Sequence, residues 1–403
     1  MARMVFRGGR VFDGSASLVA SDVVVEDGRI VDVGSGLDGD EAVELAGRAV
    51  LPGMFDCHTH VTVSPDRLDT NRELETPFSY WFYVAIENLR ATLACGITTV
   101  RDAGFADLGI KMAVADGLIA GPRLHIATTI LSQSGGHADG WLPSGYDISP
   151  LSWPGMPSGI VDGPDEMRRR AREIIRAGAD QIKVCTSGGV LSPRDDPRHG
   201  HFRDAELAVL VEEATAAGIP VMAHAQGAPG IKAAVRAGIR SIEHGIFLDD
   251  EAIEMMLERG TWLVPTLLAP QGVLDAVAAG AAIPAASVRK ATEVIDIHRA
   301  AVRRAIDAGV KVAMGTDSGV TAHGQNLREL ALMVECGMSP LQAMLATTRS
   351  AAELVGVGED QGSVEPGKRA DLVVVDGDPF DYADLAARVA AVYQDGRLVS
   401  GAA

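Results

Sequence analysis

Short apolar runs alternate with amphipathic stretches through the middle of the chain. Eight runs read as buried strands: 54–60, 97–102, 123–130, 181–186, 219–225, 241–244, 262–266 and 310–315. Helical periodicity falls between most of them, over 86–94, 165–177, 204–217, 229–237, 249–258 and 287–308. Asp204 and Asp249 stand where N-caps belong. Gly178, Gly218, Gly238, Gly260 and Gly309 stand where helices should stop. Eight strands alternating with helices predict an α/β fold, and the count favours a closed (β/α)8 TIM barrel. A doubly wound open sheet is the competitor. It should carry a Gly-rich phosphate loop after its first strand, where His58-Thr59-His60 stands instead.

The two ends of the chain read as all-β. Residues 4–6 and 11–12 flank Gly8-Gly9, a turn signal, and 23–25 and 30–33 flank Asp27-Gly28 as a hairpin. Strand patterns return at 370–375 and 389–393, followed by Asp395-Gly396 and Leu398-Val399. Residues 1–52 and 358–403 are expected to pair as a small composite β-sandwich domain around a barrel of 53–357. Two connections, 131–164 and 187–203, are long and rich in Gly, Pro and Ser. Both follow strands, so a barrel would place them over the mouth where active sites are built.

Composition narrows the class. The chain has 403 residues, 54 acidic and 36 basic side chains and a formal net charge of -18, which argues against nucleic acid or an anionic membrane as partner. No apolar run reaches membrane-spanning length, and residues 1–10 lack a signal-peptide pattern, so a cytoplasmic protein is expected. Cys57, Cys95, Cys185 and Cys336 are scattered in apolar stretches and read as buried reduced thiols.

The chemistry sits at strand ends. His58 and His60 are two apart, so on a strand they share a face, and imidazole is a common zinc ligand. Lys183 lies inside the fourth strand, His224 ends the fifth, His244 the sixth, and Asp317 follows the eighth. Singly, each has a bland alternative, a core histidine or a capping aspartate. As six ligand-type groups brought to one mouth they point to metal. Burial among cations would lower the pKa of Lys183. A neutral amine adds carbon dioxide to give a carbamate whose two oxygens can bridge two metals. The alternative is an ion pair with Glu243.

These residues resemble the amidohydrolase superfamily over nearly the whole chain. Within it the chain looks like the prolidase-like branch of metal-dependent dipeptidases and carboxypeptidases, with its imidazolonepropionase-like sequences. Further matching motifs are Ser134-Gly135-Gly136-His137-Ala138-Asp139, Lys183-Val184-Cys185-Thr186-Ser187-Gly188-Gly189-Val190, Ile242-Glu243-His244-Gly245 and Ala370-Asp371-Leu372-Val373. The resemblance implies two divalent metal ions, with zinc the first expectation. His58, His60 and Asp317 would hold one and His224 and His244 the other. N6-carboxylated Lys183 and a hydroxide would bridge them. It implies hydrolysis of an amide-type C–N bond by that hydroxide, in a dipeptide or N-acyl amino acid. The alternative is an aryl amide, phenylurea, carbamate or cyclic amide cut by the same centre. A metal-free binding protein on this scaffold should have lost ligands, and all six are present.

Asp317 is the candidate to accept the nucleophile's proton and pass it to the leaving nitrogen. His137, in the first long loop, is expected either to hydrogen-bond a substrate carbonyl or carboxylate or to serve the loop itself. Relatives often carry tyrosine two positions after the strand-five histidine. Here Gln226 stands there, with an amide N–H to donate. Arg194 and Arg198, and His323 near the mouth, are further substrate-binding candidates, the arginines with solvated loop positions as their alternative. His199-Gly200-His201 repeats the pair but falls in a loop, and His125 and His298 lack partners in the pattern. Cys185 shares the face of Lys183 and reads as core. Trp141, Trp153, Phe78 and Tyr80 either line a pocket or pack the lids. A homo-oligomer acting on a small molecule is expected.

Overall fold

Valine-rich strands from both ends of the chain build one sheet, and nearly continuous apolar strands build two more. The computed structural model describes residues 3–402 apart from 16–17, 66–74, 78, 143, 148–154 and 193. Phe78 and Trp153 therefore lie outside the described residues. The first five strands are β1 (Met4–Phe12), β2 (Leu18–Glu26), β3 (Arg29–Gly34), β4 (Glu41–Glu44) and β5 (Ala49–Pro52). The middle of the chain gives β6 (Met54–Thr59), β7 (Ile97–Asp102), β8 (Arg123–Ile126), β9 (Ile130–Leu131), β10 (Ile182–Cys185), β11 (Val221–Ala225), β12 (Ser241–His244) and β13 (Trp262–Val264). The last three are β14 (Leu372–Val375), β15 (Val389–Gln394) and β16 (Arg397–Gly401).

The terminal sheet has the order β16-β15-β14-β5-β1-β2-β3, with β4 beside β1. Its seam is β5 on β14, antiparallel, with Val50 opposite Val374 and Leu51 opposite Val373. Phe6 and Tyr393 meet edge to face at 4.8 Å across the core of this sheet. Gly8-Gly9 is not the turn expected. The strand runs on through it with a register shift between Phe6 and Gly9, a bulge. A side chain at Gly9 would meet Leu45 Cδ1 at 2.6 Å, so glycine serves close packing there.

The inner sheets are all parallel, β6-β7-β8 and β9 to β13 in order. Every residue of β6, β7 and β10 to β13 is buried. Burial on both faces is why these strands read as unbroken apolar runs. The expected third strand is two strands, because Thr128 takes a left-handed conformation (φ 59°) between β8 and β9. The expected eighth strand forms no ladder. Its residues and the turn after it still link β13 to β6: Val312 bridges Leu263, Cys57 N donates to Met314 O at 2.9 Å, and Ser318, past the strand, bridges Thr59.

The glycine stops stand where expected, and Gly238, Gly260 and Gly309 are left-handed helix C-caps. Asp249 caps its helix by accepting from Ala252 N. Asp204 does not cap. Arg203 is the N-cap residue, and Asp204 is the first helical position, paired with Arg236. Helices Leu268–Ala278 and Arg328–Glu335 were not expected, and both bear on the site below. No helix among the described residues is long and apolar enough to cross a membrane.

Candidate metal centre

The ends of β6, β10, β11 and β12 and the Thr316-Asp317 turn open on one cavity of about 420 Å³. His58, His60, Lys183, His224, His244 and Asp317 all line it. The period-two rule places Asp56, His58 and His60 on one face of the β6 segment. Four non-glycine residues that line the cavity, Phe105 (φ 81°), His244 (φ 74°), Thr266 (φ 51°) and Asp317 (φ 61°), are left-handed. Such strain is of order 1–3 kcal/mol per residue and persists where surrounding contacts impose it. His298 Nε2 donates to His244 O at 2.8 Å, and Asp317 N donates to His58 O at 2.8 Å.

The ring nitrogens are already sorted. His58 Nδ1 donates to Glu243 Oε2 at 2.7 Å, and His60 Nδ1 donates to Gly104 O at 3.2 Å. His244 Nδ1 pairs with Thr266 Oγ1 at 2.7 Å. Each of these three rings keeps Nε2 for another partner. His224 is the reverse: its Nε2 donates to Gly188 O at 3.1 Å, leaving Nδ1. Asp317 Oδ1 lies 3.3 Å from His60 Nε2 and 3.6 Å from His58 Nε2. Ligand atoms of His58, His244 and Asp317 fall within 4.8 Å of one another. Histidines with one ring nitrogen anchored and the other left free fit a divalent cation.

Charge in the cavity supports that fit. Burial would raise the Asp317 carboxyl, but His58, His60 and Lys183 outweigh it and hold the group well below the ordinary carboxylate range. Burial drives His58, His224 and His244 well below the usual imidazole pKa, so their nitrogens are available as lone pairs. Burial also lowers Lys183, against the pull of Glu243, Cys185 and Asp317. Lys183 Nζ sits 3.2 Å from His58 Nε2 and makes no direct ion pair with Glu243. That carboxylate is taken by Arg101 Nη2 at 2.8 and 3.0 Å, by Ser241 Oγ at 2.5 Å and by His58.

Residues 49–399 match the amidohydrolase family. The chain belongs to that family. It is 34% identical to the ochratoxinase of Aspergillus niger over 375 residues, 87% of this chain and 76% of that protein. It is 26% identical to the imidazolonepropionase of Geobacillus kaustophilus over 352 residues, 83% of this chain and 76% of that protein. A solved Xaa-Pro dipeptidase with methionine in its active site superposes with a TM-score of 0.89 at 32% identity, over 98% of this chain and 99% of the other. The chain is thus a hydrolase of C–N bonds on an α/β amidohydrolase fold.

Beyond its candidate ligands, this amidohydrolase cavity carries His137 and Gln226 as the sequence suggested. His137 stacks on His224, with ring centroids 4.0 Å apart and planes at 15°. Gln226 is buried, and its Oε1 has no hydrogen-bond partner among the described residues. His323 and Arg194 lie elsewhere. His323 is half-buried and absent from the cavity lining; its Nε2 faces His60 O and Val63 O and its Nδ1 pairs with Thr92 Oγ1. Backbone carbonyls satisfy it better than the mouth could. Arg194 is exposed, and its closest polar contact is Asp139 O at 3.5 Å. Arg198 lies over the Phe247 ring at 4.7 Å. Trp141 and Tyr80 are exposed. His201 is buried in the loop and does not line the cavity.

Three supporting residues escaped the sequence, and a fourth, His298, is named there but set aside. Arg101 also donates to Cys57 O at 2.7 Å and Ser241 Oγ at 3.0 Å, fixing Glu243 under His58. Asp56 accepts from Thr316 Oγ1 at 2.6 Å and Asn326 Nδ2 at 2.8 Å, tying β6 to the turn that bears Asp317; burial raises its pKa to about 6. Thr266 anchors His244. His298 reaches the cavity wall from helix Ala285–Ala308. Asp56 was legible in principle, being two residues before His58. The others depend on contacts between distant strands.

Proposed function

We infer that this amidohydrolase holds two divalent metal ions, zinc the leading choice, and cleaves an amide-type C–N bond in a dipeptide or N-acyl amino acid with apolar substituents. The observation that carries this is six ligand-type groups in one buried cavity, with the second nitrogen of every ligand histidine already engaged. The two parallel sheets are read as one (β/α)8 barrel closed through residues 312–318. Residues 1–52 and 358–403 form the composite small domain.

His58, His60 and Asp317 would hold one ion, His224 and His244 the other, and carboxylated Lys183 would bridge them. Bound there, the ions supply a water of lowered pKa and polarise a carbonyl oxygen. The chain's own groups do the rest. Asp317 enters ionised, so it can take a proton from the attacking water and return it to the leaving nitrogen. His137 and Gln226, which line the cavity, would orient substrate. Phe105, Ile130, Leu191, Ile246, Val273 and Val320 make the walls apolar and exclude water.

The names of the relatives, an ochratoxinase and an Xaa-Pro dipeptidase, support amide cleavage. The apolar walls, and the absence of Arg194 from them, also favour a second reading: an aryl amide, phenylurea, carbamate or cyclic amide as substrate. A hydrolysis panel on metal-reconstituted protein separates the two. Cleavage of N-acyl amino acids or dipeptides is expected. Cleavage of aryl amides or ureas alone would establish the second reading, and cleavage of nothing in the panel would refute both.

A further inference from the structure

The loop 187–203 presents Val190, Leu191 and Ser192 to the cavity, yet a distant helix holds it. Lys290, on helix Ala285–Ala308, is only 8% exposed. Its Nζ donates to Gly189 O at 2.9 Å, Ser192 O at 2.7 Å and Asp195 O at 2.6 Å, and stands 3.4 Å from Asp195 Oδ1. An ammonium has three N–H donors. All three go to carbonyls of this one loop, and the charge faces Asp195.

The rest of the chain of contacts follows from a count of hydrogens. A carboxylate only accepts, so the close Ser192–Asp195 contact takes the Ser192 hydroxyl hydrogen to Asp195 Oδ1. Gly189 N donates to the other oxygen, Oδ2, at 3.1 Å. Ser192 Oγ can then only accept from its other short neighbour, His137 Nδ1, at 2.7 Å. The ring therefore carries its hydrogen on Nδ1. Its Nε2 has no hydrogen-bond partner among the described residues. Gly189 belongs to the same device: a Cβ there would lie 2.1 Å from His137 Cε1.

We propose that Lys290, Asp195 and Ser192 are positioning residues that fix His137 as the Nδ1–H form, flat against His224, so that Nε2 is the ring atom that meets substrate. This rests on the reading above only in taking the cavity as the substrate site. It makes Lys290, 101 residues along the chain from Gly189, a determinant of turnover without a role in metal binding.

Two measurements test it. The first is histidine-side-chain ¹⁵N NMR, where an unprotonated ring nitrogen resonates far from a protonated one. Wild-type protein should show His137 protonated at Nδ1, and Ser192→Thr should keep that signature. Ser192→Ala and Lys290→Met should give a mixture of tautomers. Protonation at Nε2 alone in the wild type, or an unchanged signature in Ser192→Ala, would overturn the proposal. The second is a kinetic cycle on whichever panel substrate is cleaved. Lys290→Met should lower kcat/KM about 10–100-fold with metal content unchanged. In a His137→Asn background it should lower it less than about twofold, because both changes break one device. Additive losses would overturn the proposal. If no panel substrate is cleaved, the functional reading fails while the NMR result still decides this one.

Discussion

Glu243 Oε2 accepts the Nδ1 hydrogen of His58 at 2.7 Å, and both oxygens of the same carboxylate accept from Arg101. The pair joins the candidate metal centre to a buried charge network that spans β6, β7 and β12. Both side chains are almost fully buried, so neither contact has a water substitute. Replacing Glu243 by leucine frees His58 to rotate and strands the Arg101 cation. Breaking one partner of a buried pair costs about 3–5 kcal/mol, and losing a histidine's orienting partner weakens a metal site about 10–100-fold. Denaturant unfolding and chelator competition on Glu243→Leu should show both losses. Wild-type stability and affinity would contradict the role.

Lys183→Ala should retain one metal ion and lose most of the activity, since the bridging ligand is gone. Full metal content with normal turnover in that variant would refute the bridging role.

Gln226 carries a cost the fold does not need. Its buried Oε1 has no partner among the described residues, and an unsatisfied buried polar atom costs about 1–3 kcal/mol. Gln226→Met should therefore raise the unfolding free energy by about 1 kcal/mol while lowering kcat/KM on the cognate substrate. A less stable variant, or one with unchanged kinetics, would show that the amide serves the fold rather than the substrate.

Glu329 should leave a mark on the pH dependence of stability. It accepts from Leu267 N at 2.7 Å and Leu268 N at 2.8 Å, at the start of the helix that lines the cavity. Burial raises its pKa from 4.5 to about 8, against those two bonds. Between these values the folded state keeps a proton that the unfolded chain has released, so stability falls as pH rises through the window. Glu329→Gln has no proton to lose. On chelated protein, the wild-type Tm minus the variant Tm should shrink steadily from pH 5 to 8. Parallel curves would contradict the shifted carboxyl.

Much of this was readable because strand periodicity and ligand chemistry are local. His58, His60, Lys183, His224, His244 and Asp317 stand out by their positions at strand ends and line one cavity, and glycine stops marked the helices. What stayed hidden was non-local or left-handed. Thr128 breaks one expected strand in two. Helix Leu268–Ala278 carries Pro270 and Gly272 and buries an apolar face, so it shows little amphipathic period. His323 looked free in the sequence, but two backbone carbonyls claim it. Arg101 and Lys290 act across 142 and 101 residues of chain, distances at which sequence pattern carries no signal.

The central claim is that six groups form one centre for two metal ions. Its most direct test is metal content by mass spectrometry on wild-type protein, before and after chelation and zinc reconstitution, with hydrolysis followed on the same samples. The account predicts about two ions per chain, lost with activity on chelation and restored with it. Full hydrolysis in protein that holds no metal would contradict it.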